Sequence, residues 1–121
     1  MHEQRGDYEQ AEPLLKRAVA INESRFGTNH PTTATLLANL GHVYSQLRRH
    51  QEAEAALTRS LAMHERSLGS SHPGAAFILR DLGLLSAQTN DLARAESLFQ
   101  RGLSIIEAAE GRVKRLLETL G

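Results

Sequence analysis

Histidine is the residue type in this sequence best suited to chemistry, because imidazole binds transition metals and exchanges protons near neutral pH. The six histidines are His2, His30, His42, His50, His64 and His72. No two are four residues apart, and the helical zinc motif H-E-x-x-H does not occur. We therefore predict no metal site. His30 and His72 each precede a proline, which favours a role in a loop or helix cap.

The patterns of other catalytic and cofactor sites do not occur either. The sequence has no cysteine, which excludes disulfides, thiolate chemistry and cysteine-ligated zinc. It has no G-x-S-x-G element for a nucleophilic serine, and no glycine-rich loop ending in G-K-[ST] for phosphate. We expect a protein that is not an enzyme and that uses no cofactor.

Charge and hydropathy give no reason to expect a nucleic acid or a membrane as partner. Lys plus Arg number 14 and Asp plus Glu number 14, so the formal net charge is zero. The largest basic cluster, Arg112, Lys114 and Arg115, is bordered by Glu110 and Glu118, and we interpret it as a solvated helix face. No apolar run reaches the roughly 18–20 residues of a membrane helix. With no signal-peptide segment at the start, we expect a cytoplasmic protein.

An internal repeat organises the chain, with a period of 42 residues between matching positions. The matching sets include Gly27, Gly69 and Gly111; Ala11, Ala53 and Ala95; Glu23, Glu65 and Glu107; His30 and His72; and Leu40-Gly41 with Leu82-Gly83. So many positions at one spacing indicate that a single supersecondary unit is repeated.

Each unit is predicted to be a pair of helices. The first helix follows the proline, over about residues 31–47 and 73–88, because proline suits the first turn of a helix. The second helix covers about residues 8–26, 50–68 and 92–110 and ends at a glycine, which suits a left-handed C-cap. Apolar residues recur at helical spacing, and no segment alternates convincingly as a strand does. The expected fold class is all-α.

Gly41 and Gly83 lie inside the predicted first helices, where glycine costs about 1 kcal/mol relative to alanine. Their recurrence at one position of the repeat indicates a compensating gain. We expect the paired second helix to approach closely there, with Ala53 or Ala95 opposite the glycine.

These residues resemble the tetratricopeptide repeat family, whose pattern is a large residue, then Leu-Gly, Tyr, Ala and a large apolar residue. The matching residues are Leu37, Leu40-Gly41, Tyr44, Ala53 and Leu57 in one unit, and Leu79, Leu82-Gly83, Ala95 and Phe99 in the next, where Ser86 replaces the tyrosine. The usual repeat has 34 residues, and the extra length resembles the kinesin-light-chain type. The resemblance covers about residues 6–110. It implies an α-solenoid, a right-handed superhelix of antiparallel helix hairpins.

The expected domain organisation is a single domain over residues 1–121. It comprises a second-helix half-repeat at about 6–27, repeats at about 28–69 and 70–111, and a C-terminal capping or docking helix at about 112–120.

The resemblance also implies that the first helices line a concave groove, in which members of the family bind proteins or peptides. Transferred to this sequence, the groove comprises Thr35, Ala38, Asn39, His42, Ser45, Gln46, Phe77, Arg80, Asp81, Leu84 and Gln88. The Asn39 amide can bond both the C=O and the N–H of a peptide, or it can cap or bridge neighbouring helices. Arg80 can clamp a carboxylate, or it can pair with Asp81 or a glutamate on a wet surface.

The ends of the chain depart from the repeat. Helix 8–26 lacks a preceding first helix and the polar outer face of a terminal repeat, and the apolar residues after Gly111 follow no His-Pro loop. The residues that could mediate self-association are Leu14, Leu15, Val113, Leu116, Leu117 and Leu120. The C-terminal helix either caps its own chain or docks on another. We expect a homo-oligomer or part of a longer chain.

The leading functional hypothesis is a protein- or peptide-binding scaffold that acts through the groove. The alternative is a structural or oligomerisation element. By analogy with the family, such an element would be the sensor part of a larger bacterial signalling protein, beside an ATPase or protease domain.

Overall fold

The computed structural model describes residues 2–120, and the side chains of residues 5–120. Its helices are α1 (His2–Phe26), α2 (Pro31–Gln46), α3 (His50–Leu68), α4 (Gly74–Gln88) and α5 (Leu92–Leu120). No strand forms within this described range. Each helix packs on its neighbours in chain order, most extensively α2 on α3 and α4 on α5. The result is an α-solenoid of helical hairpins, which confirms the predicted fold class.

Glycines end the second helices, as the repeat predicts. Gly27 and Gly69 have φ angles of +82° and +91°, a region that glycine enters without the steric cost of a Cβ. Their N–H groups donate to the carbonyls of Glu23 and Glu65 at 3.0 and 2.9 Å. These bonds satisfy carbonyls that a helix end would otherwise leave without a partner.

The two repeated histidines cap the helices that follow them. The Nδ1 atom of His30 accepts a hydrogen bond from the Thr32 N–H at 3.1 Å, and Nδ1 of His72 accepts one from the Gly74 N–H at 3.0 Å. Each bond satisfies an amide of the first turn, which has no partner within the helix. The interpretation of both histidines as loop or cap residues is confirmed.

Helix α5 differs from the predicted boundary at the third repeated glycine. Gly111 lies inside α5, which continues to Leu120 without a break, so residues 112–120 do not form a separate helix. Gly111 has no His-Pro loop after it, and the residues that follow are mostly good helix formers, such as Arg112, Lys114 and Leu116. One interior glycine costs only about 1 kcal/mol, and this is too little to end the helix.

The close approach of the paired helices is confirmed, but the residues opposite the glycines differ from the expectation. A Cβ atom on Gly41 would lie 2.6 Å from Cγ of Leu57, and one on Gly83 would lie 2.6 Å from Cε1 of Phe99. Ala53 and Ala95, which the sequence placed opposite, lie one turn earlier on the same helix faces. The longer side chains of Leu57 and Phe99 supply the atoms nearest to each glycine.

The core extends along the solenoid as two clusters of buried apolar side chains. The larger cluster joins α2 to α5 and includes Leu40, Tyr44, Leu57, Leu79, Leu82 and Leu98. The smaller cluster joins α1, α2 and α3 and contains Val19, Ala34, Leu37 and Met63. At this junction the buried hydroxyl of Ser60 donates to the carbonyl of Ala34 at 2.5 Å, which ties α3 to α2.

Ion pairs link the second helices of successive units. Arg94 of α5 makes a two-pronged contact with the Glu54 carboxylate on α3, at 2.9 and 2.7 Å. Glu65 of α3 binds Arg101 of α5 at 3.0 Å. The equivalent pair one repeat earlier joins Glu23 of α1 to Arg59 of α3, and Glu12 of α1 also binds Arg49. We call this set the ion-pair ladder.

No helix in residues 2–120 combines the length and the apolar character that crossing a membrane requires.

Candidate ligand-binding groove

The predicted groove residues lie on α2 and α4, the first helices of the two complete repeats. The structure places all eleven of them along two adjoining depressions that share Asp81. The first depression is lined by Thr35, Ala38, Asn39, Phe77, Arg80 and Asp81. The second is lined by His42, Ser45, Gln46, Asp81, Leu84 and Gln88. We call the two depressions together the α2–α4 groove.

The floor of the first depression includes residues that the sequence argument did not select. His64 of α3, together with Gly74 and Ile78 of α4, completes its lining, and the depression has a volume of about 360 Å³. His64 lies in the last turns of α3 and is buried, although histidine is a polar residue. It follows the buried Ser60 by four residues, and residues four apart lie on the same face of a helix. This spacing is the sequence signal that could have placed His64 on the inner face of α3.

His64 and His72 form a contact between helix α3 and the loop before α4. Nε2 of His64 lies 3.2 Å from Nδ1 of His72, and the two rings are nearly edge to face. Because Nδ1 of His72 also accepts from the Gly74 amide, the proton of this contact belongs to His64. Burial, and then the neighbouring His72, lower the pKa of His64 below its usual value, whereas Glu65 acts in the opposite direction.

The amide of Asn39 is available to a ligand. Asn39 is exposed and lines the first depression beside Phe77 and Arg80. Within the part of the chain that the structure describes, its side chain forms no hydrogen bond with a neighbouring helix. An amide can donate and accept at once, so this side chain can hold a peptide unit by both of its polar groups.

Arg80 is partly engaged by its neighbours. Its Nη2 atom lies 3.3 Å from Oδ1 of Asp81, and its guanidinium lies 5.8 Å from the centre of the Phe77 ring. The pairing with Asp81, one of the two sequence interpretations, is therefore formed. Both contacts are at the long end of their ranges, so a ligand carboxylate can compete for the guanidinium.

Apolar side chains flank the polar part of the groove at its two ends. Phe77 and Leu84 are 64% and 48% exposed. Seven residues apart on α4, they are separated by about 10 Å along the helix, which is about three residues of extended chain. At the edge near α1, His42 packs edge to face on Tyr8, with ring centres 6.0 Å apart.

The residues predicted for self-association lie outside this groove and do not form one patch. Leu15 packs against the core, while Leu14 is exposed on α1. Val113, Leu116, Leu117 and Leu120 are all exposed on the last ten residues of α5, where they cap no other helix of the chain. Across the side chains of residues 5–120, no three histidine, aspartate or glutamate residues converge as ligands for a metal ion.

Helical hairpins stacked in chain order, with a groove along their first helices, define a helical-repeat α-solenoid. The model of the family described as tetratricopeptide repeat matches residues 1–66 and 39–108. These overlapping matches together cover residues 1–108 of 121. The chain therefore belongs to the tetratricopeptide repeat family.

Among solved structures, the chain is similar to the crystal structure of BtubC (BKLC) from P. vanneervenii, a kinesin-light-chain-like tetratricopeptide protein. The TM-score is 0.80 and the sequence identity is 25%. The similarity covers 85% of this chain and 41% of BtubC, so the chain spans less than half the length of that protein. No curated protein matches the sequence.

Tetratricopeptide repeats generally mediate protein–protein interactions, and the family is generally non-enzymatic.

Proposed function

We propose that this protein is a scaffold that binds an extended segment of a partner protein in the α2–α4 groove. The observation that carries the proposal is the exposed Asn39 amide, which has no hydrogen bond to a neighbouring helix within the described residues. It lies in a depression whose walls come from two successive repeats. A backbone-binding amide gives affinity for an extended chain, and flanking pockets for side chains give selectivity.

The character of the groove favours a peptide with an apolar side chain over a strongly charged one. Phe77 and Leu84 offer two exposed apolar contacts about three residues of extended chain apart. The charges of Arg80 and Asp81 offset each other. Ser45, Gln46 and Gln88 add polar, uncharged side chains to the second depression.

Selection from a random-peptide library, followed by fluorescence anisotropy, tests this proposal. Asn39→Ala removes both bonds to the peptide unit, and we expect it to weaken binding of the selected peptides about tenfold or more. Phe77→Ala removes an apolar contact, and we expect a similar loss.

The matched control is Gln51→Ala, which removes an exposed side-chain amide from α3 outside the groove. It should leave affinity unchanged. Selected peptides that bind Asn39→Ala and Phe77→Ala as tightly as the unchanged protein would show that the groove is not the binding site.

A further inference from the structure

Helix α5 carries a partly exposed apolar stripe along its whole length. Its members are Leu92, Phe99, Leu103, Ile106, Val113, Leu117 and Leu120. Together with Glu96 and Glu110, these residues are spaced alternately four and three residues apart from Leu92 to Leu120. All seven apolar side chains are between 38% and 75% exposed. This is the pattern by which one helix pairs with another. We call these seven residues the α5 stripe.

At one position of the α5 stripe, the equivalent residues of the preceding units are covered by the first helix of the next repeat. Val19, Leu61 and Leu103 occupy one position of the 42-residue repeat. Val19 is only 6% exposed and packs with Ala34 and Leu37 of α2, and Leu61 packs against the main core, but Leu103 is 54% exposed.

Because α5 continues past Gly111, no first helix can follow directly after that glycine and cover α5 as in the preceding units. In the preceding units the chain leaves the helix at Gly27 or Gly69, and the next first helix begins within five residues. At Gly111 the helix continues instead. The last ten residues project past the hairpin with their apolar side exposed. A projecting helix of this kind is marginally stable alone, which favours a partner.

The charges beside the α5 stripe identify the partner. Glu107 and Glu110 precede Gly111, whereas Arg112, Lys114 and Arg115 follow it, with Glu118 beyond them. When a second copy of α5 lies antiparallel and centred near residue 111, the acidic segment of each copy faces the basic segment of the other. In a parallel pair, like charges would face each other, which is unfavourable.

We propose that two copies of this protein associate through antiparallel pairing of their α5 helices. In a register centred near residue 111, Leu103 lies opposite Leu120 of the second copy, and Ile106 lies opposite Leu117. Glu107 of each copy then faces Lys114 of the other copy, so the two-fold symmetry gives two such pairs. The groove on α2 and α4 lies on other helices, so this pairing does not depend on the proposed function.

Light scattering coupled to size exclusion, over a concentration series, tests the pairing. We expect a dimer for the unchanged protein. Leu117→Lys should raise its dissociation constant about 100-fold or more, because the substitution places two charges in the apolar seam. The matched control is Leu68→Lys, which changes an exposed leucine on α3. It should leave the dimer intact, and circular dichroism would verify that both variants remain folded.

Charge exchange tests the register. Glu107→Lys and Lys114→Glu should each weaken the dimer by placing like charges together. The two changes in one chain should restore it, because the facing pairs become opposite in sign again.

Cysteine crosslinking tests the orientation, since the native chain has no cysteine. When an Ile106→Cys chain is mixed with a Leu117→Cys chain, antiparallel pairing yields the mixed disulfide and a parallel pairing yields like-with-like disulfides. The proposal is overturned by a monomer at all concentrations, by a dimer that Leu117→Lys does not weaken, or by like-with-like crosslinks. A peptide-binding measurement on Leu117→Lys reports separately on the groove.

Discussion

Thr33 and Ser60 are both fully buried, but their hydroxyl groups differ in hydrogen bonding. Ser60 donates to the carbonyl of Ala34, whereas the Thr33 hydroxyl has no partner among the described residues. A buried polar group without a partner costs about 1–3 kcal/mol, and valine has nearly the same shape as threonine. We expect Thr33→Val to raise the free energy of unfolding by about 1 kcal/mol, as measured by urea denaturation.

Ser60→Ala is the matched change and should lower the free energy of unfolding by about 1 kcal/mol, because it removes a bond that is made. A loss of stability in Thr33→Val would show that its hydroxyl has a partner in solution, such as a bound water.

The part-buried contact between His64 and His72 makes stability depend on pH. In the unfolded chain a histidine titrates near pH 6.5, and in the folded protein the pKa of His64 is lowered. Between these two values the unfolded chain binds a proton that the folded chain does not bind. Stability is therefore complete above about pH 6.5 and declines as pH falls through the folded pKa.

Urea unfolding midpoints between pH 7.5 and pH 5 measure this decline. His64→Gln keeps a side-chain N–H that can donate to His72 but removes the titration, so we expect a smaller decline over this range. An equally steep decline in the variant would assign the pH dependence to other groups.

At the scale of the helix pair, the glycines of α2 and α5 are predicted to respond oppositely to alanine. A Cβ on Gly41 would collide with Leu57, which is fully buried and has no space to move into. A Cβ on Gly102 would have its nearest neighbour, the Ala76 carbonyl oxygen, at 3.5 Å, an ordinary contact. Alanine also favours a helix over glycine by about 1 kcal/mol.

We therefore expect Gly41→Ala to lower the free energy of unfolding by about 1–3 kcal/mol, which is the usual cost of overpacking. Gly102→Ala should raise it by about 1 kcal/mol. Thermal or urea denaturation measures both. Equal effects of the two substitutions would contradict the close packing of α2 on α3.

At the scale of the whole molecule, the ion-pair ladder joins successive second helices on the side away from the groove. The pair of Arg94 with Glu54 has two-pronged geometry, and its hydrogen bonds lower the pKa of the Glu54 carboxyl. Both side chains are about 40% exposed, so solvent screening keeps its contribution small. A double-mutant cycle with Glu54→Gln and Arg94→Gln should give a coupling of about 0.2–1 kcal/mol.

The same coupling should decrease in 1 M salt, where the Debye length is about 3 Å. A coupling that is unchanged by salt would indicate that hydrogen-bond geometry, and not charge, holds the pair together.

Much of the architecture could be predicted from the sequence, because the signals are local and repeated. The caps at Gly27, Gly69, His30 and His72 depend only on residues within a few positions along the chain. The membership of the groove followed from the position of each residue within the repeat, and the structure brings the predicted residues of α2 and α4 together. Whether they bind a partner stays a prediction.

The sequence by itself determined the class of fold, the hairpins and the faces of the first helices, since these depend on helical periodicity and on residues that start or end helices. Only the tertiary structure decided which residues meet across helices. It made Leu57 the nearest neighbour of Gly41, and it buried His64 beneath the groove. It also continued α5 through Gly111. Each of these outcomes is set by distances between distant parts of the chain, or by a small balance of helix free energies, which the spacing of residues does not encode.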